Sequence, residues 1–344
     1  MTTTTRSEEF DSYYRAGKPL FTHAALLNIA TQISNCEPVI HFDDFHGLSK
    51  PRRRNREPSW LTPKELAAYE WSIHIDYKSY EKLTCPDPFD DDQSDEEPHY
   101  NPIDISYIRF HREISTLNDL DQIRANFKTH GDTWLASQDC EDVVQTLLSR
   151  STPRIRKIVA FALGSMARAD GELIPRWTIQ HALILGIADA LRKEYAHEIR
   201  CFSQEPHYTD ADKNFLREKG VAVLEDPMAF LEVDAETLVI SIAPNVCVKQ
   251  ILADLTRPAV MMWDEVTVED PTQNVWRTEI VDGVEEIVAP YRTDPNSPRV
   301  CEMVEGYHKI PFVGNEKHFG GIATYIRKDN SQSAFNKDDS APEM

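Results

Sequence analysis

Three short segments of the sequence carry side chains able to bind or activate a small molecule: Gly164-Ser165, Gln204-Glu205 with Tyr208, and Asn245. A glycine followed by a serine suits a tight turn or the close approach of a ligand to backbone, and a helix starting just after it would offer N–H groups to an anion. Glu205 can accept from a ribose diol or act as a general base, Tyr208 can donate a hydrogen bond, and Asn245 can donate and accept at once. Each segment also has a structural reading. Gly164-Ser165 can be an ordinary strand-to-loop turn, Thr209 or Asp210 can cap a helix over 213–217, and Asn245 can cap a helix running to Leu255. Asp226-Pro227 reads as a turn. Cys247 stands where a helix dipole would lower a thiol pKa, although a small buried hydrophobe is the commoner role of such a residue.

Other chemistries are excluded by spacing. The six cysteines lie more than forty residues apart, so there is no CxxC pair for zinc, iron–sulfur or dithiol chemistry, and they read as reduced thiols. His41-Phe42-Asp43 with His46 has the HxD pattern of an iron site, but crowds its ligands into six residues of one loop. We therefore expect no metal. His181 falls inside an apolar helical pattern and reads as a satisfied core histidine. GxGxxG, GxxxxGK, HExxH and GxSxG are all missing, and no catalytic residue or cofactor is assigned.

Composition narrows the partners. The chain has 344 residues, 41% of them hydrophobic, with 37 Lys+Arg against 57 Asp+Glu for a net charge of −20. That balance opposes generic binding to nucleic acid or to an anionic membrane. The start, MTTTTRSEEF, lacks the apolar core of a signal peptide, and no stretch approaches the ~18 apolar residues of a membrane helix. A cytoplasmic protein is expected, also nuclear if the basic run KPRRRNR (50–56) is an import signal rather than a partner for the acidic run DPFDDDQSDEEP (87–98).

The elements that must position these residues follow from periodicity. Between Arg156 and Trp263, β-branched runs (KIVAFAL, EIRCFS, VAVLED, TLVISIA, PAVMMWD) alternate with helical patterns. This predicts a Rossmann-like α/β domain: a five-stranded, mainly parallel sheet with helices on both faces, its strands ending near Leu163, Ser203, Leu224, Ala243 and Trp263. In the order 3-2-1-4-5, the loops after the first and fourth strands diverge and leave a ligand crevice at the carboxyl edge. Gly164, Ser165 and Asn245 then face one another, with Glu205 and Tyr208 at the rim. Upstream, the pattern predicts helices over Pro19–Ile33 (with Leu20, Ala24, Leu27 and Ile33 on one stripe), TPKELAAYEW (62–71), 118–127 and 140–148. Downstream, VWRTEIVDGVEEIVAPY reads as a hairpin about Asp282-Gly283.

The segment from Arg156 to about Trp263 resembles the Sensitivity-to-Red-Light-Reduced-like (SRR-like) domain in its fungal form. The features that carry the resemblance are FALGSM (161–166), Gln180 near a helix start, QEPHYTDADKNFL (204–216), EDPMAFLEVDAETLVISIAPN (225–245) and VKQILADLTRPAVMMWD (248–264). Two positions depart from it: Glu205-Pro206 stands where members carry Asp-Pro, and Pro244-Asn245 where many carry Pro-His, which removes an imidazole. The resemblance implies a Rossmann-like fold and a link to light and circadian signalling or to control of haem biosynthesis, without a defining reaction.

The expected organisation is therefore an N-terminal helical and irregular extension (1–150), the α/β domain (151–265), a short β-rich C-terminal extension packed on it (266–328) and a disordered tail (329–344). The missing catalytic constellations favour a regulatory protein that binds a small molecule or a protein partner without turnover. The alternatives are a transferase-type enzyme using a nucleotide-like ligand and a non-catalytic scaffold. An open polar crevice would speak for the first two, and a crevice filled by side chains for the scaffold.

Overall fold

The computed structural model describes residues 3–54, 69–85, 101–111, 120–148, 152–268, 276–281 and 284–328. In chain order the strands are β1 (Val39–Asp43), β2 (Ser49–Arg53), β3 (Tyr69–Tyr77), β4 (Ile103–His111), β5 (Lys157–Phe161), β6 (Arg200–Gln204), β7 (Val221–Val223), β8 (Thr237–Ser241), β9 (Val260–Asp264), β10 (Arg277–Val281), β11 (Val284–Val288), β12 (Tyr307–Pro311) and β13 (Ile322–Arg327). The helices are α1 (Thr3–Arg15), α2 (His23–Ser34), α3 (Tyr80–Thr84), α4 (Leu120–Asn126), α5 (Asp132–Leu135), α6 (Gln138–Leu148), α7 (Leu173–Tyr195), α8 (Asp210–Glu218), α9 (Met228–Glu232), α10 (Val248–Leu255), α11 (Pro298–Glu305) and α12 (Glu316–Phe319). None is long and apolar enough to cross a membrane among the described residues.

The central sheet runs β12-β13-β9-β8-β5-β6-β7. Its five middle-chain strands are parallel and in the expected 3-2-1-4-5 order, with β5 flanked by β6 and β8 in register. The sheet is wider than the sequence reading because β13 pairs antiparallel with β9 and β12 with β13. Alternation along a strand says which faces are buried but not which edge the strand joins. β10 and β11 form the expected hairpin, while its Asp282-Gly283 step lies outside the described residues.

Strand side chains alternate between two cores. Ile158 and Ala160 of β5 join α7, α8 and the helices of 120–148 on one face. Val159 and Phe161 join α1, α2, α9, α10 and α11 on the other. Because both faces are covered, β5 and β8 are buried along their whole length.

The N-terminal segment departs from its sequence reading in two places. Thr22 caps α2 by accepting from the Ala25 N–H at 3.1 Å, so the helix starts at His23. Leu20 and Phe21 are buried ahead of it, held by Asp254, which accepts from both their N–H groups at 2.6 and 3.1 Å. The buried face is then Leu26 and Ile29, and Leu27 is 54% exposed. The second departure is Tyr69–Trp71, read as the end of a helix but forming the start of β3. The run YEWSIHIDY alternates with period two, and pairing with β4 over nine residues outweighs the helix-forming KELAAYE before it. Residues 55–68 and the acidic run 87–98 lie outside the described residues.

Candidate functional site

A cleft of about 460 Å³ opens at the carboxyl edge of the sheet where β5 and β8 part. Both strands end in a left-handed alanine, Ala162 (φ 58°) and Ala243 (φ 48°), so the chain turns sharply away on either side. Such a conformation costs an alanine about 1–2 kcal/mol and persists because the surrounding packing fixes it.

After β5, Leu163 is buried and Gly164 is again left-handed, at φ 73°. A Cβ built on Gly164 would lie 2.4 Å from the Trp177 ring of α7, so this position has no room for a side chain. The Gly164 N–H donates to Glu205 Oε2 at 3.2 Å. Ser165 caps the single 3₁₀ turn 166–168, accepting from the Arg168 N–H at 3.3 Å and donating to Asp212 Oδ2 at 2.6 Å. Asp212, fully buried, also accepts from the Ala167 N–H at 3.0 Å and from Thr209 N–H and Oγ1 at 2.8 and 2.9 Å. The turn's donors are thus satisfied by the protein's own carboxylates, from the loop after β6 and the start of α8, rather than held open for an external anion.

Thr209, as the sequence suggested, caps α8, and does so in a reciprocal box with Asp212. Asn245, exposed in the loop after β8, does not cap α10. That helix is begun by Asp294, which accepts from the Lys249 N–H at 3.0 Å. Cys247 is buried, and burial pushes its thiol well above the ordinary range, which fits the small-hydrophobe reading.

Five of the six residues read from the sequence line this one cleft: Gly164, Ser165, Gln204, Glu205 and Asn245. Tyr208 points inward. It is 7% exposed, within 2.7 Å of His181 Nε2 and 2.8 Å of Ser203 Oγ. His181 has both nitrogens engaged, Nδ1 donating to the Trp177 carbonyl at 2.6 Å, and burial lowers its pKa and keeps the ring neutral. With Nδ1 protonated, Nε2 must accept from Tyr208. His181 is the core histidine that its apolar helix implied.

The remaining walls come from residues that the sequence reading did not place at the site. β3 lays His74 and Tyr77 across the cleft, and α7 presents Leu173, Arg176, Trp177 and Gln180 on one face at i, i+3, i+4 and i+7. Asp226 closes the floor. Tyr77 Oη and Gln204 Nε2 both donate to its Oδ1, at 2.6 and 2.9 Å. The other end of Gln204 accepts from the Ala229 N–H at 3.0 Å, so its amide orientation is fixed.

The two carboxyls of the cleft are held in opposite states. Burial, aided by neighbouring Glu225, outweighs the two hydrogen bonds and lifts Asp226 to about 7. For Glu205, burial pulls upward but is overcome by the His207 side chain and N–H, each 3.0 Å from Oε1, and by the Gly164 N–H, so its pKa is lowered. His74 is lowered, chiefly by burial and then by His207.

A raised carboxyl pKa means that the folded state binds the proton more tightly than the unfolded chain, so stability falls as pH rises from about 4 to about 7. Asp226→Asn keeps the Oδ1 acceptor without the titration. Its advantage over the wild type should grow by about 1–3 kcal/mol between pH 5 and pH 8, the upper figure being the two units from 5 to the raised pKa of about 7 at about 1.4 kcal/mol per unit. Denaturant titrations at the two pH values measure this, and equal stability difference at both would show that Asp226 is ionised throughout.

A family model described as the SRR1 domain matches residues 123–337, more than half of the chain. No curated protein and no solved structure matches.

Proposed function

The chain belongs to the SRR1 domain family, and from that premise we propose that it is a regulatory protein that works by binding a small molecule in the cleft between β5 and β8. The observation that carries this is the cleft itself. It is open, has the roughly 300–1,000 Å³ volume usual for ligand sites, and lies at the strand-order reversal where open α/β sheets bind ligands. An open crevice with polar groups counts against the pure scaffold.

A thermal-shift screen of the full chain against nucleotides, S-adenosylmethionine, haem and porphyrins tests the reading. A true ligand at a hundred times its Kd should add about 2.7 kcal/mol of stability, and the shift should vanish when Gln180 or Asn245 on the walls is replaced by a bulky residue. A chain that responds to none of these, or responds equally with the walls altered, does not use this cleft.

The transferase-type enzyme remains a second reading because of one observation. A protonated Asp226 and an ionised Glu205 in a single cleft are the pairing that acid–base chemistry needs. Turnover of the ligand on incubation would favour it.

A cytoplasmic location is part of the proposal, extending to the nucleus only if the basic run serves as an import signal. For the basic run, Lys50–Arg53 lies in the β1–β2 hairpin, Arg52 contacts Asp104 at 3.3 and 3.4 Å, and Arg54 donates to the Ile33 carbonyl at 2.8 Å. An import receptor reading it as an extended segment would first have to unpair this hairpin.

A further inference from the structure

The lining of the cleft is richer in cationic groups than the acidic molecule around it. The whole chain carries −20, whereas the cleft is lined by Arg168 and Arg176 against the carboxyls of Glu205 and Asp226, with His74 and His207 between the elements. Glu205 is already engaged by Gly164 and His207, and Asp226 keeps its proton up to about pH 7. Two guanidiniums and one compensated carboxylate thus line the opening. Apolar walls such as Phe161, Trp177 and Ile242 have a low dielectric and concentrate that field in the opening.

The guanidinium of Arg176 and the indole of Trp177 stand side by side on α7, so an acidic group and a flat apolar body could be held together. Arg176 Nε is buried and has no hydrogen-bond acceptor among the described residues. That nitrogen is closed to the cleft, so an acidic ligand would be met by the rest of the guanidinium. On the floor, Tyr77 and Gln204 both donate to Asp226 Oδ1, which leaves Oδ2 to carry the proton and to donate.

Resting on the reading of the cleft as a small-molecule site, we propose that its ligand is a small organic anion, a carboxylate or a phosphate. Its acidic group sits on Arg176 and Arg168, its flat body lies along Trp177, and an acceptor atom meets Asp226 Oδ2. The titratable and charged groups around Asp226 are Tyr77 from β3, Glu225 beside it, and His74, Glu205, His207 and the two arginines across the cleft.

Trp177 reports on this directly. Its emission is isolated as the difference between the full chain and Trp177→Phe, and is quenched with iodide, caesium and neutral acrylamide at matched ionic strength. Normalised to the quenching of free N-acetyltryptophanamide by each ion, iodide should be about threefold or more as efficient as caesium, because the local potential enriches anions. Arg168→Gln with Arg176→Gln should abolish that preference and leave acrylamide quenching unchanged. Equal normalised quenching by iodide and caesium, with acrylamide still effective, overturns the anion assignment while the binding site stands. Failure of acrylamide to reach Trp177 overturns the binding site itself. Benzoate and phenyl phosphate, with benzyl alcohol as the uncharged control, separate the two acids: protection from iodide by either acid beyond the alcohol supports the proposal and identifies which, and equal effects of all three overturn it.

Discussion

Asp212→Ala should cost about 3–5 kcal/mol of stability, the range for removing one partner from a buried charged network. Asp212 is fully buried and gathers four donors, from Ser165, Ala167 and both the N–H and hydroxyl of Thr209. Its loss leaves those donors facing a cavity in the joint between the turn after β5 and the start of α8. In a domain of about 5–15 kcal/mol, that is a large fraction of the whole. Asp212→Asn should fall between alanine and wild type. Oδ2 takes three of the four bonds and Oδ1 only that from Ala167, so an amide oxygen at Oδ2 preserves three and sets an NH₂ against one N–H. Urea titrations of the three chains decide the matter, and an alanine variant within about 1 kcal/mol of wild type would mean that water replaces the carboxylate without loss.

The second large effect is expected from Gly164→Val. The left-handed backbone at φ 73° costs a branched residue about 1–2 kcal/mol, and the displacement of Trp177 that a Cβ at 2.4 Å demands adds about 1–3 kcal/mol. We therefore expect about 2–5 kcal/mol of destabilisation, a change in Trp177 emission, and loss of any thermal response to ligand. The ring has to move into the cleft or the turn has to open, and the second route breaks the bond from Gly164 N–H to Glu205. A valine variant with wild-type stability and unaltered Trp177 emission would show that the turn yields without strain.

How much of this was legible in the sequence depended on the range of each interaction. Strand–helix alternation is local, and it announced the five parallel strands; their 3-2-1-4-5 order entered only as a premise, from which the positions of Gly164, Glu205 and Asn245 around one opening followed. The pairing of β13 with β9 is decided by which edge is free, and β3 was obscured by helix-forming residues just before it. Tyr208 follows β6 as rim residues do, but the buried His181 and Ser203 offer its hydroxyl better partners than solvent. Asp226 was visible as an Asp-Pro step, yet its proton depends on burial beneath Tyr77, a residue 149 positions earlier. Arg176 and Trp177 lie on a helix whose neighbours are nearly all apolar, and only the fold shows that its first two turns look outward into a cleft. Thr209 was marked as a possible helix cap, while the part of its partner Asp212, bracing the turn at Ser165, needed the third dimension.

The family match begins at residue 123, yet His74 and Tyr77 reach the cleft from β3. The roof above the sheet edge thus lies outside the matched span. Substitutions confined to β3 can change what fits over the floor without disturbing a single parallel strand, so selection can retune recognition while the framework stays fixed. Exchanging the β3–β4 hairpin between chains that share the domain would transplant one side of the chamber alone, and with Tyr77 it would carry away one of the two donors that hold Asp226 in place.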